Sequence, residues 1–142
     1  MRGRFIVWRA VLWFVAVYHV VMGVILFVSG ELALKVAKFL GGVSISGSPE
    51  LGILGEILAC YLIAFGLMVV LAAWDPVKYR GALTVGLVLF ALRSIQRLVF
   101  ADKVMAVFHV PPASHYAGTA VVIVFAVILG LFRLKIAKAL TA

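Results

Sequence analysis

Four runs of this chain are apolar over roughly twenty residues: about 5–28, 51–74, 81–101 and 116–134. A helix needs about 20 mainly apolar residues to cross a bilayer. Little sequence is left over in a chain of 142 residues. The expected fold is all-α: a four-helix transmembrane bundle forming one integral membrane domain, residues 1–142. No separate soluble catalytic domain is expected within these residues. Mean hydropathy is +1.25 and 66% of residues are hydrophobic, well above the roughly one-half of soluble domains.

The formal charge is +8, from 13 Lys and Arg against 5 Asp and Glu. In a soluble protein that excess would point to nucleic acid. Here the positive-inside rule accounts for most of it, and no nucleic-acid partner is expected. Arg2, Arg4, Arg9, Lys78, Arg80, Arg133, Lys135 and Lys138 fall on one side of a four-span topology. Lys35, Lys38 and Lys103 fall on the other. Both termini are therefore expected in the cytoplasm, with the chain in a cell membrane, most simply a prokaryotic inner membrane. The same cations suit anionic lipid headgroups. The first run has a signal-like basic start, but it is long for such a segment and is expected to be a retained span.

Between spans 1 and 2, Glu31, Lys35 and Lys38 share one face of a segment rich in Leu, Val and Phe. This predicts a short amphipathic helix on the outer surface, stopped by Gly41-Gly42. Ser48-Pro49-Glu50 should open span 2, with Ser48 as N-cap. Asp75-Pro76 should end it, making spans 2 and 3 a tight antiparallel hairpin. A short helix over Val104 to Val110 and a Ser114 cap on span 4 are also expected.

Polar groups gather in the outer half. Arg93, Gln96 and Arg97 lie inside span 3 at i, i+3 and i+4, on one helical face. A charged side chain at a helix centre costs at least about 2.5–3.5 kcal/mol on insertion scales. That face should meet protein, ligand or water. Glu56 in span 2, His19 in span 1, His115 at the head of span 4 and His109 in the preceding loop fall in or next to the same outer half. Small residues support close packing here: Gly23, then Gly52 and Ala59 beside Glu56, and a span-4 stripe of His115, Thr119, Val122, Ala126 and Gly130. These stripes should face the interior.

Two readings of the arginines compete evenly. In one, Glu56 pairs with Arg93 or Arg97, Gln96 bridges, and Arg97 snorkels towards Asp102. In the other, an anionic ligand such as a carboxylate, phosphate or propionate sits between the helices. His19 with His115 or His109 are candidate haem or metal ligands on position alone. A zinc site would need the loop to fold inward. Most aromatics sit near span ends as an interfacial belt. Tyr18 and Tyr61 are deeper and are candidates to line a pocket. Cys60 is the single cysteine, so an intramolecular disulfide and a cycling Cys pair are excluded; packing is its expected role. There is no glycine-rich phosphate loop, nucleophile elbow or paired-carboxylate arrangement.

A basic N-terminus, an aromatic-rich first span from Tyr18-His19-Val-Val-Met-Gly23 to Leu40-Gly41, the Asp75-Pro76 turn and Arg93-Ser-Ile-Gln96-Arg97 complete a recognisable plan. It resembles, across the chain, the small four-helix membrane proteins of the DoxX-like and BphX-like kind. Some DoxX-like members are subunits of quinone-linked redox enzymes, so the resemblance implies a redox-associated subunit, with haem or quinone as conceivable cofactors. It carries over no catalytic residue.

The sequence thus favours an accessory or ligand-binding membrane subunit, not an enzyme on its own. Its ligand-binding candidates are Arg93, Gln96, Arg97, Glu56, His19 and Tyr61. Alternatives are a small transporter or channel subunit, or a purely structural scaffold. So small a bundle encloses little volume, and a homo-oligomer or other membrane subunits are expected partners.

Overall fold

The computed structural model describes residues 6–43 and 49–141. They form six helices: α1 (Ile6–Val28), α2 (Gly30–Gly41), α3 (Pro49–Trp74), α4 (Arg80–Val99), α5 (Ala101–Phe108) and α6 (Pro112–Thr141). α1, α3, α4 and α6 are long and apolar enough to cross a membrane. No more than 28% of any candidate span is buried within the protein, so these helices turn most of their apolar side chains outward. In hydrocarbon this is the stable arrangement, because the helix satisfies its own backbone and lipid covers its sides.

Local chemistry sets the breaks. Ser29 is extended (φ −154°, ψ 102°), and its hydroxyl accepts the Leu32 N–H at 3.2 Å, capping α2. Gly42 ends α2 in the left-handed region (φ 68°), donating its N–H to the Lys38 carbonyl. α2 matches the expected amphipathic segment, with Glu31 and Lys35 paired at 3.2 Å on its exposed side. Pro49 opens α3, while the Ser48 cap expected there lies outside the described residues. After Trp74, the Asp75 carboxylate accepts the N–H groups of Val77 and Lys78 at 3.2 and 3.0 Å, closing the turn into α4.

Two boundaries differ from expectation. The short outer helix spans 101–108, not 104–110, because only Phe100 (φ −107°, ψ 25°) interrupts the chain after α4. Phe100 still donates to the Gln96 carbonyl and accepts from Val104. The helical hydrogen bonding thus bends rather than stops. α6 begins at Pro112, a favoured first-turn residue. Ser114 therefore lies inside the helix and does not cap it.

The helices pair as α1 with α3 and α4 with α6, while the α3–α4 contact is much smaller. The short turn does join α3 and α4 as neighbours, with Phe65 meeting Phe90, but each packs more closely against its other partner. The α1–α3 seam is built on small residues seven apart. A Cβ on Gly23 would lie 3.0 Å from the Ala59 carbonyl oxygen, and one on Gly66 would lie 3.0 Å from the Ala16 carbonyl oxygen. The two backbones thus approach too closely for any side chain there. One heptad further along, Arg9 donates from Nε to the Ala73 carbonyl at 2.8 Å, satisfying the last turn of α3.

Aromatic rings fill the space between the two pairs. His19 meets Phe65 and Phe90 edge-on at 4.8 and 6.0 Å. Phe125 stacks near Phe14 and Phe90 at 6.3 and 5.8 Å. Trp8 stacks on Phe132 at 5.1 Å. Leu12, Ala16, Leu83, Leu129 and Ile136 complete a buried core around them.

A candidate anion site where α4 meets α6

One end of the long helices carries α2, α5 and most of the polar groups named above. There Arg97, in the last turn of α4, reaches across to α6. Its Nε donates to Thr119 Oγ1 at 2.9 Å and its Nη2 to the His115 carbonyl at 3.0 Å. His115 answers from the opposite direction: Nε2 lies 3.0 Å from the Arg97 carbonyl oxygen. A carbonyl can only accept, so this nitrogen carries the proton. The last carbonyls of a helix lack intrahelical partners, and the imidazole supplies one. Thr119 in turn donates to the His115 carbonyl at 2.8 Å.

Gly118 makes the approach possible. A Cβ there would lie 2.9 Å from Arg97 Nη2, so the guanidinium rests against α6 where a side chain is missing. His115 and Thr119 are buried, at 0% and 2% exposure, and Arg97 is half-buried. Both bonds from Arg97 go to neutral oxygens. A guanidinium has five N–H donors, so this leaves N–H groups and the whole positive charge unmatched by any carboxylate among the described residues.

Two buried acceptors beside it are unpartnered: His115 Nδ1 and Gln96 Oε1. Gln96 also lines a groove of about 380 Å³ between the end of α4 and α5, with Phe100, Lys103, Val104, Val107 and Phe108. The bend at Phe100 makes this surface concave. Its walls are apolar, and Lys103 supplies a cation.

The other expected residues are placed differently. Glu56 and Arg93 are exposed on the outer surfaces of α3 and α4 and form no ion pair with each other. Glu56 is nine residues from Phe65, which faces Phe90 of α4. At 3.6 residues per turn, nine residues is half a revolution, so Glu56 points away from α4. The expected Glu56–Arg93 or Glu56–Arg97 pair is therefore replaced by the Arg97–His115–Thr119 linkage. Gly52, Cys60 and Tyr61 are exposed too, so that stripe of α3 does not face the interior, although Ala59 does. His19 donates from Nδ1 to the Val15 carbonyl at 2.7 Å, and its ring is packed among Tyr18, Phe65 and Phe90. His109 is an exposed residue that ends α5 in the left-handed region.

The histidines are thus held in separate surroundings, as packing and capping groups. This does not fit a haem held by a pair of imidazoles. Among the described residues no three His, Cys, Asp or Glu side chains gather as a metal site. Sequence reasoning did not single out Gly118, Lys103 or the α4–α5 groove. The glycine four residues before Val122 was the available signal. The chain matches no protein-family model, and comparisons with curated proteins and with solved structures return no significant match.

Proposed function

We propose that this is a four-span membrane protein with both termini in the cytoplasm, and that it binds an anionic amphiphile in the outer half of the membrane. In this reading Arg97 holds the acidic headgroup and the α4–α5 groove takes an acyl chain. The observation that carries it is the guanidinium of Arg97, fixed by two neutral acceptors with its charge uncompensated. Preorganised N–H donors of this kind suit a phosphate or carboxylate. The buried acceptors His115 Nδ1 and Gln96 Oε1 favour a headgroup that also brings hydrogen-bond donors. The topology is supported by Arg9, Lys78, Arg80, Arg133, Lys135 and Lys138, which lie towards the opposite ends of the long helices. A subunit that holds a lipid or amphiphile for a larger membrane assembly is the role consistent with these features and with the DoxX-like plan.

The test is native mass spectrometry of the protein in mild detergent with phosphatidylglycerol or phosphatidylcholine added. The acidic lipid should be retained selectively, Arg97→Gln should abolish the selectivity, and Arg97→Lys should keep part of it. Equal retention of both lipids by the wild type would sink the reading. A Soret band in the same preparation would replace it with a haem-binding one.

A further inference from the structure

Gln96 holds an unmatched acceptor beside the Arg97 site. Its side chain lines the α4–α5 groove, and its Oε1 is buried without a hydrogen-bond partner. A bare buried acceptor is costly, and it calls for a donor from somewhere. The groove does not supply one. Phe100, Val104, Val107 and Phe108 are apolar, and although Lys103 carries donors, none of them bonds to Oε1. No bond holds that oxygen inward, so rotation about the last side-chain bond presents it to the groove without moving the backbone. Arg97, the next residue, lies two residues before the end of α4, about 3 Å along the axis. An anion held there sits near the helix end, at the level of lipid headgroups. An anion-holding guanidinium and a free acceptor on neighbouring residues ask for a ligand with an anion and a donor close together. The charge of that donor is also constrained. Arg97 on one side and Lys103 in the groove make the surroundings of Gln96 positive. An ammonium is repelled there, whereas a hydroxyl is not.

We infer, resting on the reading of Arg97 above, that the amphiphile is an acidic phosphodiester lipid with a free hydroxyl in its headgroup, and that Gln96 selects it by accepting from that hydroxyl. The phosphate takes the N–H groups of Arg97 that Thr119 and the His115 carbonyl leave free. A glycerol headgroup carries hydroxyls beside its phosphate and satisfies both residues at once. A fatty acid satisfies the guanidinium and leaves Oε1 bare, so it is the poorer ligand.

Native mass spectrometry with lipids matched in chains tests it. Phosphatidylglycerol and phosphatidylmethanol are both singly charged phosphodiesters, and only the first has headgroup hydroxyls. The two are supplied in equal amounts together with phosphatidylcholine. The wild type should retain phosphatidylglycerol about three- to tenfold over phosphatidylmethanol, the scale of one neutral hydrogen bond. It should retain both acidic lipids over phosphatidylcholine. Gln96→Met keeps the length of the side chain and removes the amide oxygen. It should bring the first ratio close to one and leave the second preference unchanged. Equal retention of the two acidic lipids by the wild type, both above phosphatidylcholine, overturns the hydroxyl selection and leaves the Arg97 reading standing. Retention of neither above phosphatidylcholine overturns both. A preference for phosphatidylglycerol that survives Gln96→Met assigns the hydroxyl to another group and overturns the role of Gln96. Loss of both preferences together in that variant makes Gln96 part of the scaffold of the anion site, not its selector, and overturns that role equally. The wild-type comparison decides the hydroxyl selection even where the variant folds poorly.

Discussion

The two helix pairs are held together by opposite means. Between α1 and α3, backbones meet at Ala16, Gly23, Ala59 and Gly66, and the contact is close packing with a single polar tie, Arg9 to the Ala73 carbonyl, at one end. Between α4 and α6, polar side chains tie the helices at both ends: Arg97 to His115 and Thr119 at one, Arg133 to Thr84 at the other. Lipid tails are as apolar as leucine, so hydrophobic burial does not discriminate helix–helix from helix–lipid contact. What remains is dispersion at short range and hydrogen bonding. This protein relies mainly on the first for α1 and α3, where Arg9 adds one hydrogen bond to the Ala73 carbonyl, and on the second for α4 and α6.

The contrast can be broken most severely at Gly66. Its Cβ would lie 2.6 Å from Val20 Cγ2 and 2.9 Å from the Val20 nitrogen, and backbone cannot move aside cheaply. Gly66→Val should destabilise the protein by about 3 kcal/mol in detergent unfolding. Gly52→Val, with nothing near its Cβ, should be close to neutral for folding. An equal loss at both would show that the small-residue seam is not what holds α1 to α3. The hydrogen-bonded pair should respond less. Thr119→Val and Arg97→Leu, alone and together, should reveal a coupling of about 0.5–1.5 kcal/mol, typical of polar contacts between membrane helices. Strict additivity would mean that the 2.9 Å contact contributes nothing. The smallest effect belongs to Arg133→Gln, whose 3.2 Å bond to Thr84 is exposed. It should shift stability by less than about 0.5 kcal/mol, and a larger loss would make the two ends of that seam equivalent.

The sequence was most informative where one residue type has one physical meaning. Run length identified the long helices, Gly42 and Pro49 fall at ends where their backbone chemistry places them, and Asp75-Pro76 makes the turn. The span-4 stripe from His115 to Gly130 is buried or half-buried as expected. Reading failed on α3. Gly52, Glu56 and Ala59 looked like an inward stripe, yet only Ala59 is buried and the other two face out. α3 is apolar all round, and a helix with lipid on one side and protein on the other gives no polar–apolar periodicity to tell the two apart. The acid and the arginines were assumed to meet because they fall in the same half of the bundle. Depth follows from residue counting; azimuth does not. Likewise, the α1–α3 seam was half visible in Gly23, but its heptad spacing against Ala59 and Gly66 needed the register of two helices at once.

The interhelical hydrogen bonds described above all lie within one helix pair or the other, while aromatic rings fill the boundary between the pairs. In mechanical terms the two hairpins meet at a sliding joint. Rotating one against the other exchanges ring contacts for other ring contacts and leaves no donor or acceptor bare in hydrocarbon. Prising α4 from α6 strips a guanidinium of its acceptors. A rotation along the layer of Phe14, His19, Phe65, Phe90 and Phe125 would therefore break none of these hydrogen bonds, and it would carry the Arg97 site together with α4 and α6.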